Sequence, residues 1–417
     1  MKKLLTLALV FILAVTQFSC EEKEQPQPNP QPKPIEVTPQ ARQLIDADNS
    51  FGMELFRKIS AGQEQPENTM ISPVSVSLAL AMTYNGAAGE TQAGMEQALH
   101  LSGLSRQEIN ESYQTLMEAL LSVDPKVTME IANSIWYRQG FSVEQDFIDV
   151  NHDYYDAEVE ALDFDSPDAV RTINNWVDDK TQGKIPKIVD SIDPLTMMYL
   201  INAIYFNGKW TYQFDKDNTS EQPFYLTDGS QIQVDMMQTE ASLNYMNNDL
   251  FRAVEMPYGQ GNYSMVCMLP DNDHTVGEVI GEMNPGNWSQ WMTSMDTANV
   301  QLHLPRFSFE YEKPLKELLK AMGMEEAFDP SVSDFSGINP DREDLHISEV
   351  KHKTFVEVDE KGTEAAAVTS VEMGVTSIDP SQPILIRFDR PFVFAIREVT
   401  TGTIMFVGKV MQPEKND

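Results

Sequence analysis

Apolar and polar positions follow two spacings along the chain, and the change from one to the other falls near residue 190. Before it the period is mostly helical. Between Ala41 and Ile59, the residues Leu44, Ile45, Phe51, Met53, Leu55, Phe56 and Ile59 fall close to a 3.6-residue repeat and predict an amphipathic helix. Ser72 followed by Pro73 predicts a second helix start, because a serine oxygen can accept from the unpaired amides of a first turn and proline is preset for that turn. Val76, Leu80 and Met82 carry it toward Gly86. Segments 105–122 and 166–180 repeat the helical spacing, with a predicted strand from Thr128 to Trp136 between them. From Thr196 to Phe206 the chain is apolar with one polar interruption, Asn202, as expected of a strand buried on both faces. Further strands are predicted at 232–237, 251–256, 263–269, 299–309, 352–359, 384–388, 391–397 and 403–410, with a helix at 313–322 and a hairpin turn at Thr400-Thr401-Gly402. No linker interrupts residues 40–412. The expectation is one α+β domain over that range, helices first and sheets later, with a short tail at 413–417.

Residues before 40 belong to a different class. Lys2 and Lys3 precede the apolar run Leu4 to Val15, too short to remain as a membrane span and suited to a secretory signal over residues 1–19. Gln17-Phe18-Ser19-Cys20 resembles the site at which a bacterial cysteine is acylated, so Cys20 is the expected lipidated N-terminus; ordinary secretion with Cys20 incidental is the alternative. The stretch to residue 39 is Pro, Gln and Asn after Glu21-Glu22-Lys23-Glu24, with almost nothing to bury, and is expected to be an extended tether. The protein is therefore expected to be exported and held to the bacterial envelope, at the outer membrane or cell surface, by its lipid alone.

Charge narrows the partners. The 417 residues include 30 Lys or Arg and 64 Asp or Glu, a net of −34. Lys2, Lys3, Lys23 and Lys33 balance Glu21, Glu22, Glu24 and Glu36, so the surplus lies in the folded part. Such a surface repels phosphate backbones and anionic lipid, which argues against a nucleic-acid partner. Cys20 and Cys267 cannot make a disulfide framework or a cysteine metal site, and Cys267, inside the apolar run 263–269, reads as a buried structural thiol. The six histidines are scattered, and no phosphate loop, dinucleotide-binding glycine motif or nucleophile elbow occurs. Neither metal nor cofactor nor enzymatic activity is expected.

Residues 357–380 are the informative segment, a long connection between two predicted strands, and connections beyond about 15 residues are usually functional or disordered. At a period of two, Thr363, Ala365, Ala367, Thr369, Val371, Met373 and Val375 share one face; Glu364, Ala366, Val368, Ser370, Glu372, Gly374 and Thr376 share the other. Both carboxylates fall on one face and every large apolar residue except Val368 on the other, the pattern of a half-buried strand. A short helix begun by Glu364-Ala365-Ala366-Ala367, or a plain loop, would also fit these residues taken alone.

These residues resemble those of the serpin family. Glu360-Lys361-Gly362-Thr363-Glu364-Ala365-Ala366-Ala367 is similar to the hinge of an inhibitory serpin, and Phe388-Asp389-Arg390-Pro391-Phe392-Val393-Phe394-Ala395-Ile396 with Gly408-Lys409-Val410 to the family's C-terminal signature. Asn68-Thr69-Met70-Ile71-Ser72-Pro73-Val74-Ser75, Ile173-Asn174-Asn175-Trp176-Val177, Thr181-Gln182-Gly183-Lys184-Ile185, Asn202-Ala203-Ile204-Tyr205-Phe206-Asn207-Gly208-Lys209-Trp210, Leu304-Pro305-Arg306-Phe307 and Asp334-Phe335-Ser336-Gly337 follow in the family's order, over residues 41–412.

The resemblance implies helices plus three β-sheets and an exposed reactive-centre loop, here about 360–383, able to insert into the large sheet. It implies a monomeric suicide substrate that traps serine endopeptidases as a covalent acyl-enzyme, with cysteine endopeptidases as a second target class. Gly362 would be the pivot of the hinge, Thr363 would enter first, and Ala365, Ala366 and Ala367 would offer little steric resistance after Glu364. Ser72, Ser75, Asn174 and His352 correspond to the family's shutter, and Trp210 to the breach at the top of the sheet. Spacing from Gly362 sets the reactive bond at Thr376-Ser377, with Val375 or Met373 as alternatives on its N-terminal side. None of these is Arg or Lys, which suits elastase-like or subtilisin-like proteases. A non-inhibitory serpin acting as a binding or chaperone-like protein is one rival. An envelope hydrolase built on Ser, His and Asp is another, although no nucleophile is placed beside a base.

Overall fold

The computed structural model describes residues 31–63, 65–363 and 382–413. The first four predicted helix starts follow the sequence closely because each is capped by a side chain of its own. In α1 (Pro39–Ala61) the Thr38 oxygen accepts from the Ala41 amide, and in α2 (Pro73–Tyr84) Ser72 accepts from the Ser75 amide. Among the helices that were not expected are α3 (Gly89–Ala98), which carries no strong apolar stripe, and α5 (Gln145–Tyr155). They flank α4 (Arg106–Ser122), which opens on a reciprocal cap between Ser105 and Glu108. The helices are completed by α6 (Pro167–Lys180), α7 (Val276–Glu282) and α8 (Pro285–Thr293).

The strands in chain order are β1 (Thr69–Ile71), β2 (Val127–Arg138), β3 (Glu158–Leu162), β4 (Met198–Lys209), β5 (Ser220–Tyr225), β6 (Gln231–Asn247), β7 (Phe251–Tyr258) and β8 (Tyr263–Pro270). They continue with β9 (Asp296–Pro305), β10 (Phe307–Pro314), β11 (Lys351–Val358), β12 (Gly362–Thr363), β13 (Ile384–Arg387), β14 (Phe392–Glu398) and β15 (Ile404–Val410). A large sheet runs β10-β11-β12-β4-β2-β3. A second runs β1-β15-β14-β8-β7-β6-β9-β13, with β5 paired to the start of β6. The long β6 joins two leaves. Its last residues pair with β7, and most of its length pairs with β9 in a smaller leaf of β5, β6, β9 and β13. The large sheet and these two leaves are the three sheets of the expected fold.

Two expectations at 299–322 are corrected. The single strand at 299–309 is two strands in different sheets: Pro305, which cannot donate, closes β9, and Arg306 turns the chain by donating its amide to Asp235 O at 2.8 Å. The helix at 313–322 starts later, because β10 persists through Pro314 opposite Lys351; only Lys316–Leu319 is α-helical before Gly323, at φ 113°, breaks the path.

Every residue of β8, β14 and β15 is buried, so the second sheet forms the floor of the core beneath the large sheet. The other face of the large sheet is covered by α6, where Trp176 meets Trp136 edge-on at 6.1 Å. β4 is thereby covered on both faces, with Ile201 and Ala203 against α6 and Ile204 and Phe206 toward the core, and its positions are buried or half-buried, which is why it reads as an almost unbroken apolar run.

Candidate functional site

The site lies in the large sheet between β11 and β4. β11 ends at Val358, and a tight turn follows in which the Asp359 carboxylate accepts the amides of Lys361 (2.8 Å) and Gly362 (3.1 Å) while the Asp359 amide donates to Gly362 O. The chain then doubles back as β12. Thr363 stands opposite Val358 on one side, and Gly362 and Thr363 stand opposite Lys209 and Gly208 of β4 on the other. Beyond those two residues β4 and β11 share no register among the described residues. The small cavity below Thr363 is lined by Ile204 and Phe206 of β4 and Phe355 and Val356 of β11, with Met70, Ile396 and Phe406 on the floor side.

Gly362 is required by proximity rather than by rotation. A Cβ there would lie 2.0 Å from the Gly208 carbonyl oxygen and 2.7 Å from Lys209 Cα, and its φ is outside the left-handed region. Thr363 is 4% exposed, and its hydroxyl shares a 2.5 Å hydrogen bond with the Tyr258 hydroxyl. Tyr258 is itself fully buried, and burial holds its phenol far above the ordinary range, so it remains a neutral partner.

Trp210, just past β4, closes the top of this cluster. Its ring stacks on Tyr258 at 4.3 Å and 14°, its indole N–H donates to Asp359 O at 2.9 Å, and its amide donates to Lys361 O at 2.8 Å. Glu360 is 5% exposed and accepts from Thr219 (2.7 Å) and from the Arg306 guanidinium. Burial would raise its pKa, but those hydrogen bonds outweigh it and hold the carboxyl below the usual range. Asp359 is pushed the other way, by burial first and then by the charges of Glu360 and Glu357.

Beneath the cavity the structure joins three of the four expected shutter residues. The Ser72 amide donates to His352 Nε2 at 3.0 Å, and the Ser75 hydroxyl reaches Asn202 O at 3.5 Å. Burial drops His352 to about 4, so the imidazole is neutral and Nε2 is its acceptor. Asn174 lies apart: it accepts from the Ile188 and Val189 amides and donates to Val189 O, pinning the segment after α6. The asparagine that does line the strand edge is Asn202, whose Nδ2 donates to Asn133 of β2 at 2.8 Å. Its signal in the sequence was its standing as the sole polar interruption of 196–206. Tyr258, Thr219 and Arg306 also escaped the reading, since only the fold brings them to the hinge.

Cys267 is buried and unpaired, its thiol pushed up by burial. Glu364, Ala365, Ala366, Ala367, Met373, Val375, Thr376, Ser377 and Cys20 lie outside the described residues.

Two strand edges are thus parted around a hinge that contributes a two-residue strand of its own. The comparisons place that architecture. The family model described as serpin (serine protease inhibitor) matches residues 46–413. An uncharacterized serpin-like protein of Thermococcus kodakarensis is 33% identical over 383 residues, covering 90% of this chain and 87% of its own. Human serpin B8 is 36% identical over 380 residues, covering 89% and 99%. The crystal structure of the thermophilic serpin tengpin in the native state superposes with a TM-score of 0.82 at 36% identity, covering 92% of this chain and 97% of that one. The chain belongs to the serpin family, a family of protease inhibitors.

Proposed function

We propose that this serpin is a suicide-substrate inhibitor of elastase-like or subtilisin-like endopeptidases, acting as a monomer tethered to the envelope through lipidated Cys20. The supporting observation is the seating of Gly362 and Thr363 between β4 and β11, which sets the start and the side-chain parity of an added strand. Thr363 faces the floor of the core; residues two, four and six places on would share that face.

In the mechanism, the protease nucleophile attacks the carbonyl carbon at the reactive bond, the amide nitrogen leaves with a proton, and an acyl-enzyme remains on the N-terminal side. Cutting releases the hinge from its C-terminal stem at β13. Insertion below Thr363 then pairs both strand edges, at about 1 kcal/mol net per hydrogen bond, on the order of 10 kcal/mol over a dozen residues. The protease is carried along the sheet before water can deacylate it.

Mixing the protein with elastase-like, subtilisin-like and trypsin-like proteases should yield a covalent, SDS-resistant adduct of summed mass with one of the first two. Cleaved protein with no adduct in any mixture overturns the proposal. Thr363→Arg should convert inhibitor to substrate, because a cation at that buried position loses the Tyr258 hydrogen bond and has no anion to meet it, a cost of several kcal/mol. Cys20→Ala should release the protein from membranes without altering adduct formation.

A further inference from the structure

β13 is where the chain returns to the sheets after the reactive loop, and it is held along one edge. It pairs in parallel with β9 from Ile384 opposite Val300 to Arg387 opposite His303, and among the described residues no strand lies on its other side. Phe388 adds one contact just beyond, donating its amide to His303 O at 2.9 Å. His303 therefore stands between two strands, with Arg387 beside it on β13 and Gln238 beside it on β6. It is 5% exposed, and neither ring nitrogen has a hydrogen-bond partner among the described residues. The Arg387 Nε also lacks one.

The charges around this imidazole are unbalanced in contact. On β13 the facing group is a guanidinium; on β6 it is an uncharged amide; along β9 the residues that share its face are Gln301 and Pro305. The anion that acts on it is Asp389 in the segment after β13, engaged by Arg390 at 3.2 Å; Glu240, two residues along β6 on the same face, is held by the Asn299 amide at 2.8 Å. Burial first, then Arg387, depress the basicity of His303, with Asp389 opposing.

We infer that His303 is an acid-sensitive latch on β13: a proton on the buried imidazole sets two cations side by side across the ladder, and the edge strand lifts to relieve them. The sign follows from linkage. In the lifted state His303 returns to water and to the ordinary value of 6.5, so it binds the proton more tightly there than when β13 is docked. Acidification below that value favours lifting, by up to about tenfold per pH unit until the docked imidazole also titrates. The consequence for inhibition rests on the function proposed above, since β13 is the C-terminal stem of the loop; the latch itself does not.

Amide hydrogen exchange of the whole protein tests it, with rates corrected for the intrinsic pH dependence. Between pH 7.0 and pH 5.5, protection at Ile386 and Phe388, the β13 amides turned toward β9, should fall several-fold, while Val266, Cys267 and Met268 in β8 keep theirs. His303→Gln should remove the acid dependence. Arg387→Met, which leaves the imidazole in place, should weaken it at least threefold, and it serves should the first variant not fold. Protection in β13 that ignores pH, or that falls equally in both variants, overturns the latch. Either result is independent of whether a protease adduct forms.

Discussion

Asp48 offers a quantitative test of how the helical side of this serpin is held. It lies on α1, is 1% exposed, and has one carboxylate oxygen bonded to the Tyr113 hydroxyl at 2.8 Å and the other without a partner among the described residues. The groups that act on it are Tyr113 of α4, Ser77 of α2 and Tyr155 of α5, none of them cationic. Burial raises its pKa from 3.8 to about 7, with the Tyr113 and Ser77 hydroxyls opposing. The native state thus keeps a proton that the unfolded chain releases near pH 4, so the contribution to stability is full below pH 4 and is lost as pH rises to about 7. Three pH units at ~1.4 kcal/mol each make the loss about 4 kcal/mol. Asp48→Asn keeps an acceptor for Tyr113 and cannot ionise. Denaturant midpoints from pH 4.5 to 8.5 should show the parent losing stability between pH 5 and 7.5 relative to the variant, which should be the more stable protein at pH 8. Parallel pH profiles for the two proteins would refute the account.

Two further outcomes follow at the hinge. Gly362→Val drives a side chain into the Gly208 carbonyl and should unseat β12, abolishing adduct formation while leaving the cut of the loop intact, as read by gel. Tyr258→Phe removes the partner of Thr363 but keeps the stack on Trp210; the loss of about 1 kcal/mol at the first inserted residue should raise the number of inhibitor molecules consumed per protease trapped, measured by titration.

What was legible in the sequence is what is local. Ser72-Pro73, Ser105 with Glu108 three residues on, and Ser166-Pro167 announce their helices because caps act within a turn. The apolar run ending at Phe206 announces a doubly covered strand for the same reason. The split at Arg306 was hidden because β9 and β10 are both apolar on their inward faces and differ only in which sheet accepts them. The hinge motif was visible, but its chemistry was not: Tyr258 lies 105 positions from Thr363 in sequence, and Thr219 lies 141 from Glu360. Asn174 was drawn into the shutter by its place in a family motif, whereas Asn202 has the right geometry because it is on β4 itself.

The geometry beneath the cavity explains how two unpaired strand edges are kept apart yet in line. β11 is fixed to Ser72 through His352, and β4 is approached from Ser75 through Asn202 O; both serines belong to the first turn of α2. Thr354 adds a second anchor for β11, donating to Met70 O at 2.8 Å on β1. A helix turn is stiff, and α2 is buried on nearly every side, so the spacing of the two edges is set by a part of the core that does not itself join the sheet. The strand insertion proposed above would need no rearrangement of that turn, only of the two bonds that reach up from it. Neither bond is a salt bridge and His352 is held neutral, so proton uptake cannot strengthen them within the physiological range. Resistance to the opening proposed above would therefore rest on these neutral hydrogen bonds, each about 1 kcal/mol at most, and on apolar packing across the cavity, small against the strand pairing that a cut loop would supply.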